Sequence, residues 1–292
     1  MSWYELSVSS QKTDVDRITA LLESQGALAV SYFDAEDQPI LEPKPNEVNL
    51  WEKVITTGLF PMTLNPDSLA THINQDFPSC LISHKILPDQ DWTTTWLEHF
   101  KPIQFNQKFW ICPSGFDSSS LQGEVLHLDP GLAFGTGQHP TTRLCLHWLA
   151  SQEINQKTIL DFGCGTGILA LAALKLGAKQ CYGIDHDPQA LYSTRLNAKK
   201  NHIAPEQLPI LSDDVNEVPA CDVIMANILM RPLIELAPLL QKLCLPNGYL
   251  VLSGILKSQV SELKEAYIKW FEFAPYCLDD EDWVLLVGKR KI

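Results

Sequence analysis

From Thr158 onward, short apolar runs alternate with longer stretches whose apolar positions recur every three to four residues. Strands are expected at Thr158–Phe162, Cys181–Ile184, Leu208–Leu211, Asp222–Ala226 and Tyr249–Leu252. Helices are expected near Ile168–Lys175, Pro188–Asn201, Pro232–Leu243 and Ser258–Phe271, and Trp283–Gly288 offers one more strand. This alternation specifies an α/β fold, a mostly parallel sheet with helices on both faces. Ligands in such sheets lie beyond the carboxyl ends of the strands, where the first strand meets its helix.

The first third reads differently. Trp3 to Val8 alternates with period two, as a strand does, and Asp14 to Gln25 carries Val15, Ile18, Leu21 and Leu22 at helical spacing before the stop signal Gly26. Ala27 to Phe33 is a further strand. Strand, helix and strand in so short a span predict a small α+β domain. In Asp91 to Phe100, Trp92, Trp96 and Phe100 fall on one face of a short helix, which Lys101-Pro102 ends because a residue before proline disfavours the helical region. An aromatic stripe of this kind serves packing more often than ligand binding. The expected division is an N-terminal domain at 1–90, a linker helix at 91–103 and a large domain at 104–292.

Charge adds to this picture. The 292 residues carry a net charge of −13. Residues 1–100 hold 15 Asp and Glu against 5 Lys and Arg, while residues 101–292 hold 20 against 17. So acidic a first third repels phosphate backbones, and no direct sequence-specific nucleic-acid binding is expected of it. It attracts a basic protein, or merely keeps the domain soluble. The eight cysteines include no Cys-x-x-Cys pair, so neither a zinc site nor a disulfide scaffold is expected, and no metal is assigned. The richest apolar stretch, Ile168 to Ala178, is too short to span a bilayer, and the first residues lack a secretion signal. A cytoplasmic protein with reduced, mostly buried cysteines is the expectation.

Chemistry concentrates at four places. Asp161-Phe162-Gly163-Cys164-Gly165-Thr166-Gly167 follows the first regular strand and opens a helix, and its glycines let backbone approach a ligand closely. The spacing is Gly-x-Gly-x-Gly rather than Gly-x-Gly-x-x-Gly, and no Lys-Ser or Lys-Thr follows, which excludes a triphosphate-cradling loop. Asp161 would repel a pyrophosphate but suits a positively charged amino-acid ligand. The second strand ends in Asp185, 22 residues past Gly163, where a carboxylate accepts hydrogen bonds from both hydroxyls of a ribose. The competing role, starting the next helix, fits Asp187 better.

Asn227 closes the fourth strand with both an acceptor and a donor. It has three readings: holding a cofactor, accepting from a substrate amine, or capping a helix before Pro232. Upstream, Asp129 to Gly137 is a glycine-rich loop, and Pro140-Thr141-Thr142 opens a helix whose free amides suit a carboxylate. His139 is a base or, as lone loop histidines more often are, structural.

Pro130 to Thr142, Asp161 to Gly167, Gly183-Ile184-Asp185 and Ala226-Asn227-Ile228-Leu229 together resemble the bacterial methyltransferases of large-subunit ribosomal protein L11. Asp91-Trp92 to Lys101-Pro102 and the overall length are similar to that family too. The glycine turn alone marks only a class I methyltransferase. Ala133-Phe134-Gly135-Thr136-Gly137 with His139-Pro140-Thr141-Thr142 is far more specific.

The resemblance implies a class I, Rossmann-like catalytic domain, a ferredoxin-like N-terminal domain that grips the ribosomal protein, and a helical linker. It implies S-adenosyl-L-methionine as cofactor, S-adenosyl-L-homocysteine as product, and trimethylation of the N-terminal α-amine and lysine ε-amines of L11. The cofactor contacts it implies fall at Thr142, Gly163, Asp185 and Asn227, with Gly165 of the same turn and Phe134, Gly135 and Thr136 of the loop beside them. Asn227 is the expected catalytic residue, positioning the nitrogen while the Phe134 to Gly137 loop closes over it.

Three rival classes remain. One is a methyltransferase acting on a nucleic-acid amine, but Asn227-Ile228-Leu229-Met230 carries no aromatic on which a flipped base stacks. Another is a non-catalytic cofactor-binding protein on the ribosome, against which the intact motifs argue. The third, a dinucleotide oxidoreductase, is disfavoured by the glycine spacing.

Overall fold

The computed structural model describes residues 3–36, 50–87, 101–128, 137–212, 215–274 and 278–292. The chain divides into two compact units, Met1–Thr95 and Trp96–Ile292. The expected linker helix with Trp92, Trp96 and Phe100 lies outside the described residues.

The first unit runs β1 (Trp3–Gln11), α1 (Val15–Ser24), β2 (Ala29–Asp34), β3 (Lys53–Pro61), α2 (Pro66–Asp76) and β4 (Leu81–Leu87). Its strands form one antiparallel sheet in the order β2-β3-β1-β4, the ferredoxin-like arrangement. The period-two alternation of β1 sends Tyr4, Leu6 and Val8 to one face, where they are buried with Ile18 and Leu22 of α1 and Ile73 of α2. Asn65 starts α2 by accepting from the amides of Asp67 (2.9 Å) and Ser68 (3.1 Å), with Pro66 set in the first turn.

The second unit opens with a three-stranded sheet, β5 (Ile103–Phe105), β6 (Phe109–Cys112) and β7 (Glu124–His127), followed by α3 (Pro140–Ser151). The regular alternation then gives β8 (Thr158–Phe162), α4 (Ile168–Lys175), β9 (Gln180–Ile184), α5 (Pro188–Lys200), β10 (Ile210–Leu211), β11 (Cys221–Asn227), α6 (Met230–Leu243) and β12 (Cys244–Leu256). After these come α7 (Val260–Tyr267), β13 (Phe271–Phe273), β14 (Leu278–Asp280) and β15 (Trp283–Arg290). The sheet order is β10-β9-β8-β11-β12-β15-β13. The first five strands are parallel, and β15 enters antiparallel between β12 and β13. Alternate residues feed two apolar layers: Ile159, Met225 and Val251 join the layer of α3 and α4, and Leu160, Ile224 and Leu250 join that of α6 and α7. All seven described cysteines are free, and six are buried.

Several elements differ from their expected bounds, and β12 most, running Cys244–Leu256 where Tyr249–Leu252 was expected. The helix expected at Ser258–Phe271 ends at Tyr267, because buried Phe271 pairs with Arg290 to begin β13. The strand expected from Leu208 shrinks to Ile210–Leu211, since Pro209 has no N–H for the ladder. The helix expected at Pro232 starts at Met230 with Leu229 as its cap, so Asn227 is not a helix cap.

Gly254 interrupts β12 with φ +82°, and a β-carbon there would stand 2.5 Å from the carbonyl oxygen of Ile228. The end of β11 therefore rests on bare backbone. Gly254→Ala should lower the stability of the unit by at least about 2 kcal/mol, combining left-handed strain with a backbone clash. A shift of the urea midpoint at unchanged slope is the measurement.

Candidate active site

The carboxyl ends of β8, β9 and β11 meet the starts of α3, α4 and α6 around a cavity of about 830 Å³. Its walls include Thr142, Gly163, Gly165, Asp185 and Asn227, so these expected residues come together. Phe134, Gly135 and Thr136 lie outside the described residues.

In the turn after β8, Gly163, Gly165 and Gly167 all have positive φ (75°, 55° and 78°). At Gly163 a β-carbon would come within 2.5 Å of the Ile228 side chain, so only glycine lets the turn pass the end of β11. The amides of Gly163 (2.8 Å) and Cys164 (2.9 Å) both donate to the carbonyl of Ile184, and that of Gly165 donates to Asp185 Oδ2 (2.9 Å). With those three donors used internally, the turn is not an anion nest of the kind that cradles phosphate. The other side of the turn is equally fixed. Thr194 donates to the carbonyl of Gly165 and Asn197 to that of Thr166, both at 2.9 Å. Sequence reasoning missed these two residues of α5. The signal was there, in polar side chains interrupting the core-facing positions Ala190, Leu191 and Ala198.

Asp185 spends one lone pair of Oδ2 on Gly165 and one of Oδ1 on the amide of Asp187 (3.0 Å). Each oxygen keeps a second lone pair, enough for a ribose diol. Asp187 caps α5 through Gln189 (2.8 Å), the role reserved for it. Asp161 carries a structural duty as well: its Oδ2 accepts from the amide of Ala170 in the first turn of α4 (3.0 Å), a helix whose cap residue, Gly167, has no side chain to do so. Burial, opposed by the Ala170 amide and helped by the neighbouring Asp185 charge, lifts the Asp161 carboxyl from the usual range to about 7.

Thr142, in the first turn of α3, is buried, and its Oγ1 accepts from Asn227 Nδ2 at 3.3 Å. Asn227 Oδ1 is buried in the cavity wall without a hydrogen-bond partner among the described residues. An orphaned buried acceptor is costly, and here it faces a space where a ligand donor would relieve it. His139 takes the structural role. Its Nδ1 accepts from the amide of Thr141 (3.3 Å) and pairs with the Thr141 hydroxyl (2.8 Å), capping α3. Burial also holds its pKa below the ordinary histidine value, against Glu281 and with Arg143. Trp283, at the start of β15, packs edge-on against the imidazole with ring centres 5.2 Å apart.

A turn without free phosphate donors, a carboxylate with one spare acceptor site on each oxygen and a second buried acid beside it fit a ligand with a diol and a positive charge. Together with the sheet order, they define a class I methyltransferase fold.

The chain matches the family described as ribosomal protein L11 methyltransferase (PrmA) over residues 2–291. It is 44% identical to the ribosomal protein L11 methyltransferase of Nitrosococcus oceani and 42% identical to that of Tolumonas auensis, each alignment covering 100% of both chains. Among solved structures, the ribosomal protein L11 methylase of Lactobacillus delbrueckii subsp. bulgaricus superposes with a TM-score of 0.59 at 31% identity. That superposition spans 66% of this chain and 100% of the other. The chain belongs to the ribosomal protein L11 methyltransferase family.

A carboxyl whose pKa rises from 3.8 unfolded to about 7 folded favours the folded state most at low pH. That contribution fades as pH climbs from about 4 to 7. The ligand-free Asp161→Asn variant should therefore be less penalised near pH 7 than near pH 5. Thermal melts of both proteins across that window, compared as differences, check this.

Proposed function

We propose that this protein transfers methyl groups from S-adenosylmethionine to amines of ribosomal protein L11, the N-terminal α-amine and lysine ε-amines, through to the trimethylated state. The observation that carries the reading is the unpaired, buried Oδ1 of Asn227 at the cavity wall. Thr142 accepts the Nδ2 end of the same carboxamide, which turns Oδ1 toward the space where the nitrogen would sit.

The remaining expected residues take roles that fit the same ligand. Asp185 offers its spare lone pairs to the ribose hydroxyls, and Gly163 and Gly165 let the ligand lie against bare backbone. Asp161 complements a positive charge, and the start of α3 suits a carboxylate. The Phe134 to Gly137 loop would close over the site. The acidic N-terminal domain expected at residues 1–90, with its linker at 91–103, suits a basic ribosomal protein.

The bound cofactor supplies a methyl group on a sulfonium, open to in-line displacement by nitrogen. The target must arrive as a neutral amine. A lysine of pKa about 10.4 is only about 0.1% neutral at physiological pH, a cost near 4 kcal/mol. Removing the amine from water beside a fixed positive charge lowers that cost, since both effects favour the neutral form. In the first two transfers Asn227 Oδ1 accepts a hydrogen bond from the nitrogen and holds its lone pair in line; the tertiary amine of the third has no N–H to give. No side chain needs to serve as general base, and His139 Nδ1 is committed to its helix.

Purified L11 incubated with the enzyme and S-adenosylmethionine should gain mass in steps of one methyl, located on the α-amine and lysines by fragmentation. Asn227→Ala should lower kcat about 100-fold or more, the usual scale for a lost positioning or oxyanion-type contact. Near-normal turnover of that variant at saturating cofactor would remove Asn227 from the mechanism. An absence of mass gain, with calorimetric cofactor binding intact, would keep the fold and discard the substrate.

A further inference from the structure

Trp283 is an indole built into the active-site wall with no part in the reading above. Leu256, at the carboxyl end of β12, pairs with Trp283, while Ser253 of β12 pairs with Asn227. Residues 253 to 256 span the irregularity at Gly254, and Trp283 stands beyond Asn227 in the outward direction of the strands. That places it on the outer wall of the cavity, and Leu229, half-exposed at the start of α6, lines the same cavity.

The indole is held from behind. His139, fixed as the cap of α3, packs against it, and Arg143 of the same helix binds Asp280, the register partner of Trp283 across the β14–β15 turn. That turn is Asp279-Asp280-Glu281-Asp282, four acids in a row directly before the indole. Lys257 pairs with Asp279 (2.8 Å) and Arg143 with Asp280. Glu281 and Asp282 carry no ion pair among the described residues. Two cations, Lys257 and Arg143, stand against these four acids, and an aromatic ring beside such an excess of negative charge attracts an ammonium, and does so still when every N–H has been replaced by methyl.

This matters for repeated transfer. Each turnover forms one N–C bond as the sulfonium S–C bond breaks, leaving a thioether and a methylammonium. That ammonium must lose a proton to solvent before the next transfer. Asn227 binds only a nitrogen that still bears hydrogen. Resting on the amine-methylating function proposed above, we propose that Trp283 and the acidic turn form an outer subsite for the target's ammonium head, retaining partly methylated product between transfers.

The test compares wild type with Trp283→Leu and Trp283→Phe on purified L11, reading KM, kcat and the mono-, di- and trimethyl distribution by mass spectrometry. Thermal melts and calorimetric affinity for S-adenosylhomocysteine serve as controls for folding and cofactor binding, and calorimetry also gives Kd for fully methylated L11. Leucine keeps an apolar wall without the ring quadrupole, so Trp283→Leu should raise KM about five- to tenfold and shift products toward mono- and dimethyl. Its Kd for methylated L11 should rise by a similar factor at unchanged cofactor affinity, and Trp283→Phe should recover most of the loss. An unchanged distribution and KM in Trp283→Leu, with wild type trimethylating normally, overturns the subsite. So does a loss confined to cofactor affinity. Failure of the wild type to methylate any amine would instead overturn the function on which the subsite rests.

Discussion

The catalytic unit depends on how the end of β9 takes up the amides of the turn that follows β8. The Ile184 carbonyl and the Asp185 carboxylate accept from three successive residues, Gly163 to Gly165, which ties the ends of two neighbouring strands into one rigid corner. A turn with three glycines at positive φ would otherwise be mobile, since glycine has the most conformational freedom to lose. The same contacts decide what the corner can bind. Its donors are spent, so it repels anions less than it simply fails to hold them, and what it presents to the cavity is acceptor: carboxylate oxygen, backbone and the free end of an amide.

Two buried acids follow from that arrangement. Asp185 raises the cost of charge on Asp161, which sits fully out of water with one amide for company. Such a pair costs stability in the empty protein and is relieved by a cationic ligand. Stability and ligand preference are thus set by the same carboxyl. The helix start opposite, with Thr142 and the His139 cap, and the orphaned Asn227 acceptor complete a site in which unsatisfied groups face the cavity rather than the core.

Much of this could be read from the residues in order. Strand and helix alternation follows from local periodicity, and the glycine spacing, Asp185 and the Pro-Thr-Thr helix start are contiguous signals whose chemistry is local. Where local signals competed, the reading slipped. Phe271 is as apolar as the helix before it, and only its partner Arg290 on a distant strand makes it begin β13. Leu208 lost its strand to one proline, and the helix after β11 gained two residues because Pro232 is tolerated in a first turn.

What the sequence determined by itself was therefore the fold class, the sheet edge that carries the site and the residue types gathered there, because periodicity and turn chemistry act between near neighbours. The tertiary structure decided what each group is for. Asp161 was read as facing a ligand and proves also to cap α4. His139 was left between base and scaffold until its Nδ1 was seen to hold Thr141. Thr194 and Asn197 became supports of the turn only once α5 packed beneath it, and Trp283 joined the wall only because β15 enters the sheet backwards beside β12. Hydrogen-bond partners 29 to 85 residues apart in sequence, such as Thr194 with Gly165 or Asn227 with Thr142, are chosen by packing, and no local pattern encodes that choice.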